Sequence, residues 1–167
     1  MERFSNTVEL TLRDAGWFPG RNVRDQMQEW TPELRSDGFE SFPEAERVLS
    51  EFGGLNVHQE APGANCAREP FRVAPTLAAG EADRFGEFAE YLKTMLYPLG
   101  EASGGHYFLA IGESGQVFLL MEDIRLLGQN VEEALEKLIL GIQSEELPWP
   151  GTGASGDDSY GPWLDKR

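Results

Sequence analysis

Reactive side chains are scarce in this chain. It has one cysteine, Cys66, and two histidines, His58 and His106. A single cysteine excludes an internal disulfide and a cysteine-built zinc cluster. Neither histidine stands in an H-E-x-x-H or H-x-E arrangement, so the sequence carries no local metal-ligand motif. Cationic residues are few too: 14 Lys and Arg against 29 Asp and Glu leave a formal net charge of -15. A surface of that sign repels phosphate backbones, which argues against direct nucleic-acid binding. It attracts basic partners and speeds their encounter. Long apolar runs are missing, since none approaches the ~20 residues a membrane-crossing helix needs. Met1–Leu10 has no signal-peptide core, so the cytoplasm is the expected address. The excess of arginine over lysine, with abundant Gly and Ala, points to a GC-rich bacterial genome.

What is present suffices for one folded domain. In 167 residues, 40% are hydrophobic and 11% aromatic, enough to bury a sizeable core. Val8, Leu12 and Ala15 share one face of a helix over residues 5–15, ended by Gly16. A compact turn, Gly16-Trp17-Phe18-Pro19-Gly20-Arg21, follows. Asn22 is placed to cap a second helix with Asp25 in its first turn and the apolar stripe Val23, Met27, Trp30 and Leu34; Pro32 predicts a kink or a split there. Ser41-Phe42-Pro43-Glu44 has the form of a capping box opening a helix with the stripe Ala45, Val48, Leu49 and Phe52. Residues 55–58 and 71–73 read as short strands, with a polar loop over 59–69 between them. Phe85, Phe88, Leu92 and Met95 mark a further helix beginning near Glu81.

The period then changes. Four short apolar runs, 96–102, 107–111, 117–121 and 124–127, are separated by turn signals at 103–105 and 113–116, which predicts a meander. Asn130 with Glu133 opens a last helix with the stripe Val131, Ala134, Leu135, Leu138 and Ile142. Residues 144–167 form an acidic tail rich in Gly and Pro, either flexible or folded back. Its large aromatics Trp149, Tyr160 and Trp163 either fold back onto the domain or dock on a partner, while Trp17 and Trp30 belong to the core. Hairpin connections and segregated helices predict an α+β fold whose antiparallel sheet is flanked by helices.

No catalytic constellation emerges. Cys66 lies in Gly63-Ala64-Asn65-Cys66-Ala67-Arg68, which lacks the strand–turn–helix elbow of a nucleophile. Gly112-Glu113-Ser114-Gly115 lacks the lysine and helix of a phosphate-binding loop. Acidic pairs such as Glu122-Asp123 and Glu132-Glu133 are expected in so acidic a chain without a role in proton transfer. The expectation is a binding protein rather than an enzyme, with neither cofactor nor metal; an enzyme using His58, His106 or Cys66 is the lesser alternative. Binding candidates are Asp37, Glu40 and Glu44 near a turn and helix start, Glu122 and Asp123 at the end of the meander, and Trp149. Carboxylates on rigid elements can pair with a partner's Arg and Lys and set on-rate and specificity.

The order of several motifs resembles the SUKH (SMI/KNR-like) superfamily of bacterial immunity proteins, in its third subgroup. The residues concerned are Ala15-Gly16-Trp17-Phe18-Pro19-Gly20-Arg21, Gly38-Phe39, the run from Ala45 to Leu55 with Glu51-Phe52-Gly53-Gly54-Leu55, and Tyr97-Pro98-Leu99-Gly100. Leu109-Ala110-Ile111-Gly112, Gly115-Gln116-Val117-Phe118 and the closing helix through Gly141 continue the likeness, which spans about Val8 to Gln143. It implies the SUKH fold over residues 1–143, with 144–167 outside the pattern. It also implies an antitoxin of a polymorphic toxin system, whose partner is a cognate protein toxin, often a nuclease or deaminase. A regulatory or scaffold protein of the same superfamily is the alternative. The family offers no catalytic residues; Gly16, Trp17, Arg21, Gly53, Gly54 and Leu55 are the motif positions expected to determine the fold, with Arg21 bonding a nearby carbonyl or facing a ligand.

Overall fold

The computed structural model describes residues 3–150. Three helices come first: α1 (Asn6–Asp14), α2 (Arg24–Asp37) and α3 (Pro43–Phe52). Four two-residue strands follow, β1 (Asn56–Val57), β2 (Ala61–Pro62), β3 (Ala67–Arg68) and β4 (Phe71–Arg72). After α4 (Ala82–Leu92) the chain forms β5 (Leu96–Ala102), β6 (Tyr107–Gly112), β7 (Val117–Leu120) and β8 (Ile124–Gly128), then α5 (Val131–Leu140) and β9 (Glu145–Leu147). Seven strands make one sheet in the order β1-β4-β5-β6-β7-β8-β9, and every neighbouring pair is antiparallel. The α+β architecture expected from the pattern is the one adopted.

The sheet is covered on both faces. Successive strand residues point to opposite sides, so Leu109 and Phe108 on β6 separate the two layers. Leu109, Val117 and Leu99 meet Val48 and Phe52 of α3 and Val131, Ala134 and Leu135 of α5. On the other side Phe108 packs edge-on against Phe85 of α4, with ring centroids 5.6 Å apart. Full burial of each large apolar side chain in these layers stabilises by roughly 1.5–3 kcal/mol. In β5 the register shifts between Pro98, opposite Ala110, and Gly100, opposite Leu109. Such an irregularity lets an interior strand hold a proline, which cannot donate to the ladder.

Local signals set most boundaries, and four of them were displaced. Asn22 does not cap α2: its Oδ1 accepts from the Arg24 N–H at 2.9 Å, and Val23 is the N-cap. Pro32 does not split α2, which runs unbroken through it. Pro32 and Gln28 are both exposed, so water can satisfy the carbonyl that the proline leaves without a donor. The Ser41–Glu44 capping box does not form. A residue preceding proline is pushed to extended backbone, and Phe42 obeys with φ -148 and ψ 165, so α3 starts at Pro43. Ser41 instead donates to Glu46. Asn130 does cap α5, its Oδ1 accepting from Glu133 N at 2.8 Å, while Glu133 Oε1 reaches back to Gln129 N, one residue before the cap, at 2.7 Å. In α5 it is Ile139 that is buried beside Val131, Ala134 and Leu135, whereas Ile142 lies past the helix end at Gly141.

Two segments read as irregular are structured. Residues 59–69 contain the β2–β3 ribbon, and the link between those strands caps the end of α5: Ala64 N–H donates to Leu140 O, and the Asn65 and Cys66 N–H groups to Gly141 O. The helix's last carbonyls thereby gain the donors that a helix cannot supply itself. Residues 145–147 pair with β8 as the outermost strand of the sheet. Trp149 then folds onto α4, 4.8 Å from Phe88 and 5.1 Å from Tyr91 between ring centroids. Tyr160 and Trp163 lie outside the described residues.

Candidate functional site

The Gly16–Arg21 turn is anchored on Glu51. Trp17 stacks on Phe52 at 6.5 Å, and its indole Nε1 donates to Glu51 Oε2 at 3.0 Å. Arg3 clasps the same carboxylate at 2.6 and 3.0 Å and also reaches Glu132 of α5. Arg21 donates to the Glu51 carbonyl at 2.6 Å, and burial lowers its pKa against the opposing pull of Glu51. Burial pushes the Glu51 carboxyl up, but the bonds from Arg3 and Trp17 and the charges of Arg3 and Arg47 outweigh that, holding it below the ordinary carboxylate value. Gly53 is required for close approach: a Cβ there would stand 2.5 Å from Leu49 O and 2.7 Å from the Trp30 ring. Gly16 and Gly54 turn the chain with positive φ, and Leu55 is buried.

The six candidate binding residues do not form a single cluster. Asp37, at the end of α2, accepts from the Gly80 N–H at 2.9 Å. Glu40 is exposed. Glu44 pairs with Arg47 at 2.6 Å, and that hydrogen bond lowers its pKa against the effect of burial. Glu44 also lies beside Gly115 in the β6–β7 turn. β7 runs from there to the turn carrying Glu122 and Asp123, so these two sit at the opposite end of the strand. Trp149 packs on Phe88 of α4, two residues past Leu147, which pairs with Ile124, so it lies at the Glu122–Asp123 end of β7. The two acidic groups, at opposite ends of β7, are not assembled into one site.

Two hollows lie beside the β7–β8 turn. The outer trough, about 650 Å³, is lined by Glu69, Ser103, His106, Tyr107, Met121, Glu122 and Asp123. Glu69, Ser103 and Tyr107 also line an inner cavity of about 340 Å³, whose far wall includes Arg125, Lys137 and Cys66. Arg125 is held by Ser144 at 2.8 Å and lies 3.4 Å from Asp123 and 3.6 Å from Glu146. Burial raises the pKa of the Tyr107 hydroxyl; Asp123 and Glu146 push it further, against Arg125. His106 Nδ1 is hydrogen-bonded to Ser103 O. Sequence reasoning missed Glu69, Tyr107, Met121 and Arg125, because three distant segments bring them together and none stands in a local motif.

The three reactive side chains are dispersed. Cys66 is exposed and borders the inner cavity, His106 the outer trough, and His58 a third hollow near Asp14 and Arg68. Among the described residues no group of three His, Cys, Asp or Glu is placed to hold a metal ion. Nor is any helix among them long and apolar enough to cross a membrane.

What remains is a chain whose joined features are a tryptophan turn, a Gly-Gly helix stop and a meander. Residues 4–141 match the family model for SUKH-3 immunity proteins. The chain belongs to the SUKH-3 immunity protein family. No curated protein and no solved structure matches it. The SUKH-3 match takes in the Glu51 anchor, the trough's lining from Glu69 to Lys137, and the C-cap at Gly141. It ends before β9 and Trp149, which lie beyond the SUKH-3 region.

Proposed function

We propose that this SUKH-3 immunity protein binds a cognate toxin domain and neutralises it by covering the toxin's working surface, as a cytoplasmic antitoxin without catalytic activity. The observation that carries this reading is the family match over residues 4–141. The net charge of -15 gives the partner's character. A toxin that acts on nucleic acid, a nuclease or deaminase, presents cations to phosphates, and an acidic protein occupies that surface as a charge mimic. The dispersal of Cys66, His58 and His106 over three cavities supports a binding role over an enzymatic one. Residues 1–143 constitute the immunity domain in this reading, with 144–167 as an extension. Its contact residues come from the acidic groups at Asp37, Glu40 and Glu44 and at Glu122 and Asp123, and from Trp149.

Co-expression with the toxin domain encoded in the adjoining gene tests the proposal. Growth of a susceptible bacterium should be restored, and the two chains should co-purify. Absence of both rescue and complex overturns it. So does turnover of a small molecule by the purified chain that is abolished by changing His58 or His106.

A further inference from the structure

We infer that the hollow between the end of α1 and the β2–β3 ribbon is a carboxylate-binding site centred on the guanidinium of Arg68. The inference stands on the chemistry of this hollow and goes beyond the immunity reading.

Arg68 differs from the other cations in its setting. Among the described residues, the half-buried cations besides it are Arg21, Arg84, Arg125 and Lys137. Arg21 donates to the Glu51 carbonyl, Arg84 to the Met121 carbonyl and Arg125 to Ser144, while Lys137 pairs with Glu133. The Arg68 side chain makes no such bond and no ion pair among the described residues, in a chain that carries 29 acidic groups. Its Nε is cut off from solvent and no protein group accepts from it; among the described residues it is the one buried side-chain nitrogen or oxygen in that position. A guanidinium does not shed its proton to escape that cost. Buried donors of this kind are found with an acceptor, so an orphaned one calls for a group that supplies it.

The base of the side chain is fixed. Arg68 lies opposite Ala61 in the β2–β3 pairing. Its Cγ packs over the stop of α5, where a Cβ on Gly141 would stand 3.2 Å from it. The cation is therefore held at the wall of a hollow of about 370 Å³, whose polar lining is Thr11, Asp14, Asn56, His58, Gln59 and Arg68. The Thr11 hydroxyl, the Asn56 amide and the His58 ring can donate to the same oxygens as Arg68. Gln59 is engaged elsewhere, its amide nitrogen donating to the Glu69 and Leu138 carbonyls.

A carboxylate fits this wall best. It is planar and takes the Nε edge of a guanidinium through two parallel hydrogen bonds. Turning the guanidinium about its terminal torsions brings that edge to the hollow. A phosphate dianion fits less well, because one arginine does not balance its charge beside Asp14, the one carboxylate in the lining.

The full-length chain, isotopically labelled, is titrated with propionate and, separately, with its neutral counterpart propionamide and with inorganic phosphate. Propionate should give saturable shifts of the Arg68 Nε–H and of the His58 and Gln59 amides; propionamide should give none. Phosphate should bind about 5-fold more weakly than propionate, or worse. Arg68→Gln should abolish the propionate shifts, with thermal melting confirming that the variant is folded. Asp14→Asn, an exposed change, should tighten propionate binding by about 3-fold, the size of an exposed charge contact. Equal shifts with the acid and its amide, shifts that survive Arg68→Gln, or tighter binding of phosphate overturn the inference. Should Arg68→Gln not fold, the contrast between acid and amide and the Asp14→Asn response decide it. Two sources of the carboxylate are told apart with the toxin domain of the adjoining gene. A loss of about 10-fold or more with Arg68→Gln identifies an acidic side chain of the toxin, and unchanged affinity a free organic acid. If the wild-type chain binds no toxin, the immunity reading fails and the propionate titration alone decides this site.

Discussion

Replacing Glu51 with alanine leaves the indole N–H of Trp17, a residue only 5% exposed, without an acceptor. A buried donor left unpaired costs about 1–2 kcal/mol. The same change removes the carboxylate that Arg3 clasps. Arg3 is 38% exposed, so that pair is screened by water and its loss adds only about 0.5–1 kcal/mol. The total is about 1.5–3 kcal/mol, or a fall in Tm of roughly 3–12 °C for a chain of this size. Glu51→Gln should cost less than half as much, because its amide oxygen still accepts from Trp17. Thermal and urea unfolding followed by circular dichroism measure both. The pH dependence has a definite sign. The folded carboxyl of Glu51 lies below the ordinary value, so the unfolded chain binds more protons in the window between the two. Its contribution is complete above the unfolded value near 4.3, and it disappears as pH falls through the folded value. The stability difference between wild type and Glu51→Gln should therefore shrink as pH is lowered below about 4. A Glu51→Ala variant within 0.5 kcal/mol of wild type (roughly the spread of neutral surface changes) would refute the reasoning.

Two other substitutions test the frame around the trough. Asn130→Ala removes the side-chain acceptor at the start of α5 and should cost about 1 kcal/mol, measured by urea unfolding with an unchanged m-value. Gly100→Ala places a Cβ into the carbonyl of Arg72 and near the backbone N of Ala74, where β4 meets β5. Backbone atoms on both sides cannot yield cheaply, so a loss of about 3 kcal/mol or more is expected, seen as reduced soluble yield and an early melt.

Contiguous signals were the legible ones. The stripes Val8 and Leu12, and Ala45, Val48, Leu49 and Phe52, needed only the helical period to be read, and those residues are buried. Gly115 in its turn gave the β6–β7 hairpin. Errors arose where one local rule competed with another. Pro43 overruled the Ser41–Glu44 box, because the residue before a proline does not adopt helical backbone. The β2–β3 ribbon was missed because its support is not local: the donors of Ala64, Asn65 and Cys66 find their acceptors at Leu140 and Gly141. Strand β9 carries two glutamates in three residues and has no apolar alternation, so only its pairing with β8 defines it.

Composition and motif order by themselves determined the fold class, the anionic character and the family likeness, since each is written in residue identities or short spacings. The tertiary structure alone decided which carboxylates share a neighbourhood. Glu69, Tyr107 and Asp123 come from the link between two short strands, the start of β6 and the β7–β8 turn, and only the antiparallel register of the sheet sets them around one trough. Long-range pairing of that kind leaves no periodic trace in the segments it joins.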